Sequence, residues 1–109
     1  MKVVIIKTPS DKPGKVLVTF ELPSAIWADR VNLCGDFNDW SQTVTPMHQD
    51  RTAGTWRVTL ELDANRRYEF RYLVNGTDWH NDWSADDYVP NEFGSDNSVV
   101  DTTLKKEEE

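Results

Sequence analysis

Alternation of apolar and polar residues with a period of two is the feature that most constrains how this chain can fold. It runs through residues 16–22, 56–62 and 68–74, and no window keeps a helical period of apolar residues for three turns. Successive side chains of a strand point to opposite faces, so each segment offers one apolar face to a core. The pattern predicts a chain built from β-strands.

Turn-forming residues divide the alternating segments at intervals of roughly ten residues. Asn75-Gly76 directly follows one segment, and this pair is typical of a type I′ hairpin, which needs a positive φ at both central residues. Residues 31–35 form a further short strand, and the last strand begins at Val99. We therefore predict an all-β sandwich of about seven antiparallel strands.

The length of 109 residues suits one domain with a single modest core. We assign residues 14–104 to the sandwich. Residues 1–13 form either a leader or an edge strand, and we favour the strand. Residues 105–109 carry a run of charges, so we expect a disordered tail.

The acidic balance of the chain excludes two classes of partner. A net charge of −7 argues against nucleic acid and against an anionic membrane, since both need a clustered basic surface. No apolar run is long enough for a secretion signal or a membrane span. The single cysteine, Cys34, cannot close an intrachain disulfide. We expect a cytoplasmic monomer.

The aromatic residues divide into two groups by their relation to the alternation. Trp40, Trp79 and Trp83 lie outside the alternating segments, so we expect them on loops at an edge of the sandwich. Two loop tryptophans together favour a binding surface, whereas we assign no role to Trp27 or Trp83. The aromatic residues in phase with the strands are expected in the core: Phe20, Phe37, Trp56, Tyr68, Phe70 and Tyr72.

The sequence gives little support for a catalytic site or a metal-binding site. A glycosidase needs two carboxylates across a cleft, and a sandwich this small leaves little room for one that encloses a substrate. His48, His80 and Cys34 match no zinc spacing, and residues 82–87 lack the glycine and the terminal glutamate of a hand-type calcium loop. We expect no enzymatic activity, no metal and no cofactor.

Three segments share the pattern of one known family. Residues 33–40 contain G-D-F-N-D-W, residues 68–76 are Y-E-F-R-Y-L-V-N-G, and residues 94–100 are G-S-D-N-S-V-V. They resemble, in order and close to the same spacing, the motifs of carbohydrate-binding module family 48. This family is also called the isoamylase N-terminal or early-set domain, and it includes the glycogen-binding domain of the AMP-activated protein kinase β subunit. The resemblance covers about residues 14–103.

The resemblance implies an immunoglobulin-like β-sandwich that binds α-1,4-glucan or accompanies glucan-processing domains. Two of the implied contacts are sugar-stacking tryptophans, one is basic, one is an asparagine that bonds hydroxyls, and two are neighbouring contact positions. Trp83 stands where the family usually has proline. The implied stacking tryptophans are Trp40 and Trp79, the basic residue is Arg71, and the asparagine is Asn97. The two neighbouring contact positions are Phe93 and Ser95.

The chemistry of these residues suits a sugar. An indole removes the C–H face of a pyranose from water at roughly 25 cal/mol per Å², and arginine and asparagine orient the hydroxyls. We expect non-catalytic binding of glycogen, starch or maltooligosaccharide, with a dissociation constant in about the micromolar to millimolar range. The alternative is a protein-interaction or scaffolding module associated with a glucan-metabolising enzyme, with glucan binding weak or lost. The flanking aspartate and asparagine residues favour the sugar.

Overall fold

Two antiparallel sheets enclose a common apolar core in the computed structural model, which describes residues 5–23 and 28–103. The described residues form nine strands: β1 (Ile6–Pro9), β2 (Lys15–Pro23), β3 (Val31–Gly35), β4 (His48–Asp50), β5 (Thr55–Asp63), β6 (Arg67–Val74), β7 (Asp78–His80), β8 (Asp87–Pro90) and β9 (Asp96–Asp101). The strand order is β1-β2-β5-β4 in the first sheet and β3-β6-β9-β8 in the second, where β7 also pairs with β6. The prediction of an all-β, immunoglobulin-like sandwich is confirmed.

The described strands outnumber the predicted set. Strands β4 and β7 have three residues each, which is too short for a period of two to show in the sequence. Strand β9 begins at Asp96 rather than at Val99, because its first residues are polar and pair with the edge strand β8. Strand β1 lies within segment 1–13 and pairs with β2. The predicted tail, residues 105–109, and Trp27 lie outside the described residues.

The core follows the alternation. From β2 the side chains of Val16, Val18, Phe20 and Leu22 are all buried, as the sequence predicted. The in-phase aromatic residues of β5 and β6 are also buried, and Phe70 packs edge-on against Phe20 at 5.0 Å between ring centroids. Within the described ranges, no helix is long and apolar enough to cross a membrane.

Strand β6 occupies the centre of the second sheet. Strand β3 pairs along one edge of it, while β9 and then β7 pair along the other edge. The side chains of Tyr68, Phe70 and Tyr72 point into the core. Glu69 and Arg71, which alternate with them, therefore point to the outer face of the sheet.

The predicted hairpin joins β6 to β7. Asn75 and Gly76 have φ values of 56° and 76°, as a type I′ turn requires, and the Thr77 N–H donates to the Val74 carbonyl at 3.1 Å. The Asn75 side-chain oxygen also accepts the main-chain N–H of Asp29 at 2.7 Å. The turn is therefore held from outside the hairpin as well as by its own backbone preference.

A buried polar pair lies between β6 and the segment that follows β7. The Tyr72 hydroxyl donates to Asp82 Oδ2 at 2.6 Å, and the Asp82 N–H donates to Ser98 Oγ at 2.9 Å. Burial raises the pKa of Tyr72 well above its ordinary value, so this hydroxyl remains a donor at neutral pH. Burial also raises the pKa of Asp82, because the charged carboxylate is poorly solvated there.

Tyr72→Phe is expected to lower the free energy of unfolding by about 1–3 kcal/mol, because it leaves a buried carboxylate oxygen without its donor. Tyr88→Phe is the matched control, since Tyr88 is 42% exposed and its hydroxyl donates to the neutral Asp82 main-chain carbonyl rather than to the buried carboxylate. Urea unfolding of both variants measures the difference. Equal losses would show that the Tyr72–Asp82 contact adds nothing beyond a partly buried hydrogen bond to a neutral carbonyl.

Asp82→Asn is expected to remove a pH dependence of stability. The raised pKa means that the folded state binds this proton more tightly than the unfolded state does. The wild type should therefore lose stability relative to the variant as pH rises from the ordinary aspartate pKa through the raised one. Unfolding free energies of both proteins across the acid range test this. A difference that grows in favour of the wild type with rising pH would contradict it.

Candidate functional site

A cleft of about 610 Å³ lies on the outer face of the second sheet, and we call it the outer cleft. Strand β6 supplies Glu69 and Arg71 to its floor, because these residues alternate with the core residues of that strand. The other side chains come from the segments around β6. Its lining residues are Trp40, Glu69, Arg71, Trp79, Asn91, Glu92, Phe93 and Asn97.

Trp79 belongs to strand β7, so the prediction that it lies on a loop was wrong. It pairs with Leu73 of β6, which places both side chains on the outer face. The Arg71 guanidinium carbon lies 5.9 Å from the centre of the Trp79 ring, within the range of a cation–π contact. The indole remains 38% exposed, so one part of the ring is available to a ligand.

Trp40 is presented by a tight turn after β3. A 3₁₀ turn at Asp36–Asn38 is followed by two residues with positive φ, Asp39 at 56° and Trp40 at 58°. Such values are uncommon for residues other than glycine, so the surrounding hydrogen bonds must hold the turn. The main-chain N–H of Trp40 donates to the Gly35 carbonyl at 2.8 Å. Gly35 is required here, since a Cβ would lie 2.6 Å from the Glu69 carbonyl oxygen.

Asp36 fixes the direction of the Trp40 ring. The indole N–H of Trp40 donates to Asp36 Oδ1 at 3.0 Å. The second oxygen, Oδ2, accepts the main-chain N–H of Glu69 at 2.8 Å. One carboxylate therefore links the tryptophan to strand β6, on which the cleft floor is built.

The polar wall of the outer cleft is a chain of three hydrogen-bonded side chains. Asn91 Nδ2 donates to Asn97 Oδ1 at 3.1 Å, and Asn97 Nδ2 donates to Glu69 Oε1 at 3.0 Å. Asn91 Oδ1 accepts the main-chain N–H groups of Phe93 and Ser95 at 2.9 and 3.1 Å. The loop 91–95 and strand β9 are thereby tied to strand β6.

The structure brings together five of the six predicted contact residues and leaves one aside. Phe93 lines the cleft with 84% of its surface exposed. Ser95 is absent from the lining, since its main chain closes the loop onto Asn91 and its side chain is exposed. Trp83, which is 68% exposed, also lies outside the lining.

Sequence reasoning missed three residues of the lining. Glu69 could have been found, because it shares the outer face of β6 with Arg71 under the same period of two. Asn91 and Glu92 carried no such signal, since they follow the edge strand β8 in a loop. Their place in the cleft depends on the hydrogen bonds of the folded loop.

The charges in the outer cleft favour a neutral, polar ligand. Glu69 and Glu92 carry two negative charges against the single positive charge of Arg71. In the part of the chain that the structure describes, Arg71 forms no ion pair, and its buried Nε lacks a hydrogen-bond partner. Flat aromatic rings, a guanidinium and amide groups together present apolar faces beside both donors and acceptors. This combination matches a ligand with hydroxyl groups around apolar ring faces.

Comparison with models of protein families identifies the family to which the chain belongs. The model of carbohydrate-binding module 48 (isoamylase N-terminal domain) matches residues 16–89, which is more than half of the sequence. The chain belongs to this family. The resemblance found in the three motifs is thereby confirmed, and the domain is a member of a family of carbohydrate-binding modules.

Two curated relatives are 1,4-alpha-glucan branching enzymes. The domain is 40% identical to the enzyme GlgB of Aquifex aeolicus in an alignment of 57 residues, and the match covers 48% of this chain and 9% of that protein. It is 31% identical to GlgB of Novosphingobium aromaticivorans in an alignment of 71 residues, and the match covers 58% of this chain and 10% of that protein. The match therefore spans about a tenth of each relative.

The fold also occurs in a solved structure of another protein. The enterobactin esterase FES from Shigella flexneri superposes with a TM-score of 0.72 over 93% of this chain and 33% of that chain. The identity is 13%, so this likeness bears on the fold alone.

Asp36→Asn is expected to loosen Trp40, because an amide has one acceptor oxygen and the position must accept two N–H donors. We expect a loss of about 0.5–1.5 kcal/mol in the free energy of unfolding and a change in the near-ultraviolet circular dichroism of tryptophan. Asp11→Asn, at an exposed position, is the control for the loss of one negative charge. Identical spectra and stabilities for the two variants would refute the role of Asp36.

Proposed function

We propose that the domain binds α-1,4-glucan, as glycogen, starch or maltooligosaccharide, through the outer cleft and without catalysing a reaction on it. The observation that carries the proposal is the placement of Trp40 and Trp79 around one cleft with Arg71 and Asn97. Membership of carbohydrate-binding module 48 supports a carbohydrate ligand. The branching-enzyme relatives, which act on 1,4-alpha-glucan by name, support this class of glucan.

The binding energy comes mainly from the two indole rings. Stacking the C–H face of a pyranose on each ring removes apolar surface from water at roughly 25 cal/mol per Å². Arg71 donates to hydroxyls from a guanidinium whose position is set by the Trp79 ring. Asn97 adds the donor that its bond to Glu69 leaves free. An open cleft of this kind gives weak binding, in about the micromolar to millimolar range.

The position of the buried Asp82 carboxyl group supports a non-catalytic role. A general acid for glycoside cleavage works best with a raised pKa, so that it keeps its proton near neutral pH. Burial raises the pKa of Asp82. That carboxyl, however, bonds Tyr72 in the interior and lies outside the outer cleft.

Replacing either platform tryptophan is expected to weaken binding about tenfold or more, because a stacked ring contributes on the order of 1.5–3 kcal/mol. Amide chemical shifts recorded during titration with maltoheptaose or β-cyclodextrin measure the affinity of wild type, Trp40→Ala and Trp79→Ala. Trp83→Ala is the matched control, since this tryptophan is exposed outside the cleft. We expect its affinity to equal that of the wild type.

Two outcomes would contradict the proposal. The folded wild type showing no response at millimolar sugar would refute glucan binding. A response that persists unchanged in folded Trp40→Ala and Trp79→Ala would place the sugar elsewhere on the surface.

The second candidate function is docking to a glucan-metabolising enzyme. Its support is Trp83, which is 68% exposed outside the outer cleft and therefore takes no part in the proposed sugar contact. The domain also matches only about a tenth of each branching enzyme, which places homologous domains beside much longer stretches of chain in those relatives. Binding to a purified branching enzyme that Trp83→Ala abolishes, while glucan affinity stays unchanged, would favour docking.

A further inference from the structure

Glu69 is linked by hydrogen bonds both to the polar wall of the outer cleft and, through Asp36, to Trp40. Its main-chain N–H donates to Asp36, whose other oxygen accepts the Trp40 indole. Its side-chain oxygen Oε1 accepts Asn97 Nδ2 at 3.0 Å. The residue thus contacts the polar wall directly and is linked through Asp36 to Trp40, and it lines the outer cleft itself.

The hydrogen bonds determine which groups remain for a ligand. Asn91 Oδ1 accepts two main-chain N–H groups, so Asn91 must donate through its nitrogen to Asn97 Oδ1. Asn97 must then donate through its own nitrogen to Glu69. One Asn97 N–H and the second carboxylate oxygen of Glu69 remain without a partner in the described part of the chain.

We propose that Glu69 is a ligand-contacting residue whose second carboxylate oxygen accepts a hydrogen bond from a sugar hydroxyl. The free Asn97 N–H donates to the neighbouring hydroxyl, so the pair recognises a vicinal diol. This assignment rests on the glucan binding proposed above and extends it. It makes unsubstituted adjacent hydroxyls, rather than the ring faces alone, a requirement for binding.

The negative charge of Glu69 makes it a stronger acceptor than an amide. Hydrogen bonds to charged groups are about twice as strong as those between neutral groups. Glutamine can still accept the Asn97 N–H, but it turns a donor nitrogen toward the hydroxyl. We therefore expect Glu69→Gln to bind maltoheptaose about tenfold more weakly than the wild type.

Asp11→Asn provides the control for net charge. Asp11 is exposed and lies outside both the lining of the outer cleft and the Asn91–Asn97–Glu69 chain. Its replacement reproduces the change in net charge, so an effect of net charge alone would weaken both variants alike. We expect Asp11→Asn to bind with the wild-type affinity.

An Asn97→Ala background separates direct contact from positioning. If Glu69 contacts the sugar directly, Glu69→Gln weakens maltoheptaose binding in the Asn97→Ala background too. If Glu69 only orients Asn97, Glu69→Gln causes no further loss of affinity in that background. Carboxyl resonances of the unmutated protein give an independent reading, because that of Glu69 should move as maltoheptaose is added.

Three results would overturn the assignment while leaving glucan binding intact. These are equal affinities of Glu69→Gln and Asp11→Asn, a penalty that vanishes with Asn97→Ala, or a Glu69 carboxyl resonance that stays fixed while the tryptophan signals titrate. A wild type that binds no maltoheptaose would instead overturn the proposed function itself, and Glu69 with it.

Discussion

Strand β6 has to satisfy two environments at once, and the rest of the molecule depends on that constraint. Its even-numbered residues, such as Phe70 and Tyr72, fill the core between the sheets. Two of the residues that alternate with them, Glu69 and Arg71, form the floor of the outer cleft. A shift of one residue in register would put charges in the core and aromatic rings outside. Folding and the arrangement of the site are therefore specified by the same pairing.

The side chains above that floor depend on hydrogen bonds rather than on apolar burial. Trp40 follows strand β3 and a 3₁₀ turn, and both it and Asp39 have a positive φ. Asp36 ties the Trp40 ring to β6. Asn91 and Asn97 tie the loop that carries Phe93 to Glu69. Because each link ends on the central strand, Trp40 and the polar groups are held relative to one another. Such preorganisation limits the ordering cost of a ligand that binds in the cleft.

The family relationship and the local chemistry contribute at different levels. Membership of carbohydrate-binding module 48 establishes the class of domain, and the branching-enzyme relatives match over only about a tenth of their length. The balance of two carboxylates and one guanidinium in the cleft belongs to this chain's own residues. It disfavours an anionic ligand and suits a neutral sugar whose hydroxyls both donate and accept.

The sequence by itself determined the all-β class, the core residues and the Asn75-Gly76 hairpin, because alternation and turn chemistry act between near neighbours. Its motifs also identified Trp40, Arg71, Trp79 and Asn97, which the fold gathers into one cleft. Only the tertiary structure placed Trp79 on a strand, left Ser95 outside and brought Asn91 and Glu92 in. Only the tertiary structure also showed that Glu69 hydrogen-bonds both Asp36 and Asn97. These features depend on pairing and hydrogen bonding between distant segments, which no local pattern in a single chain encodes.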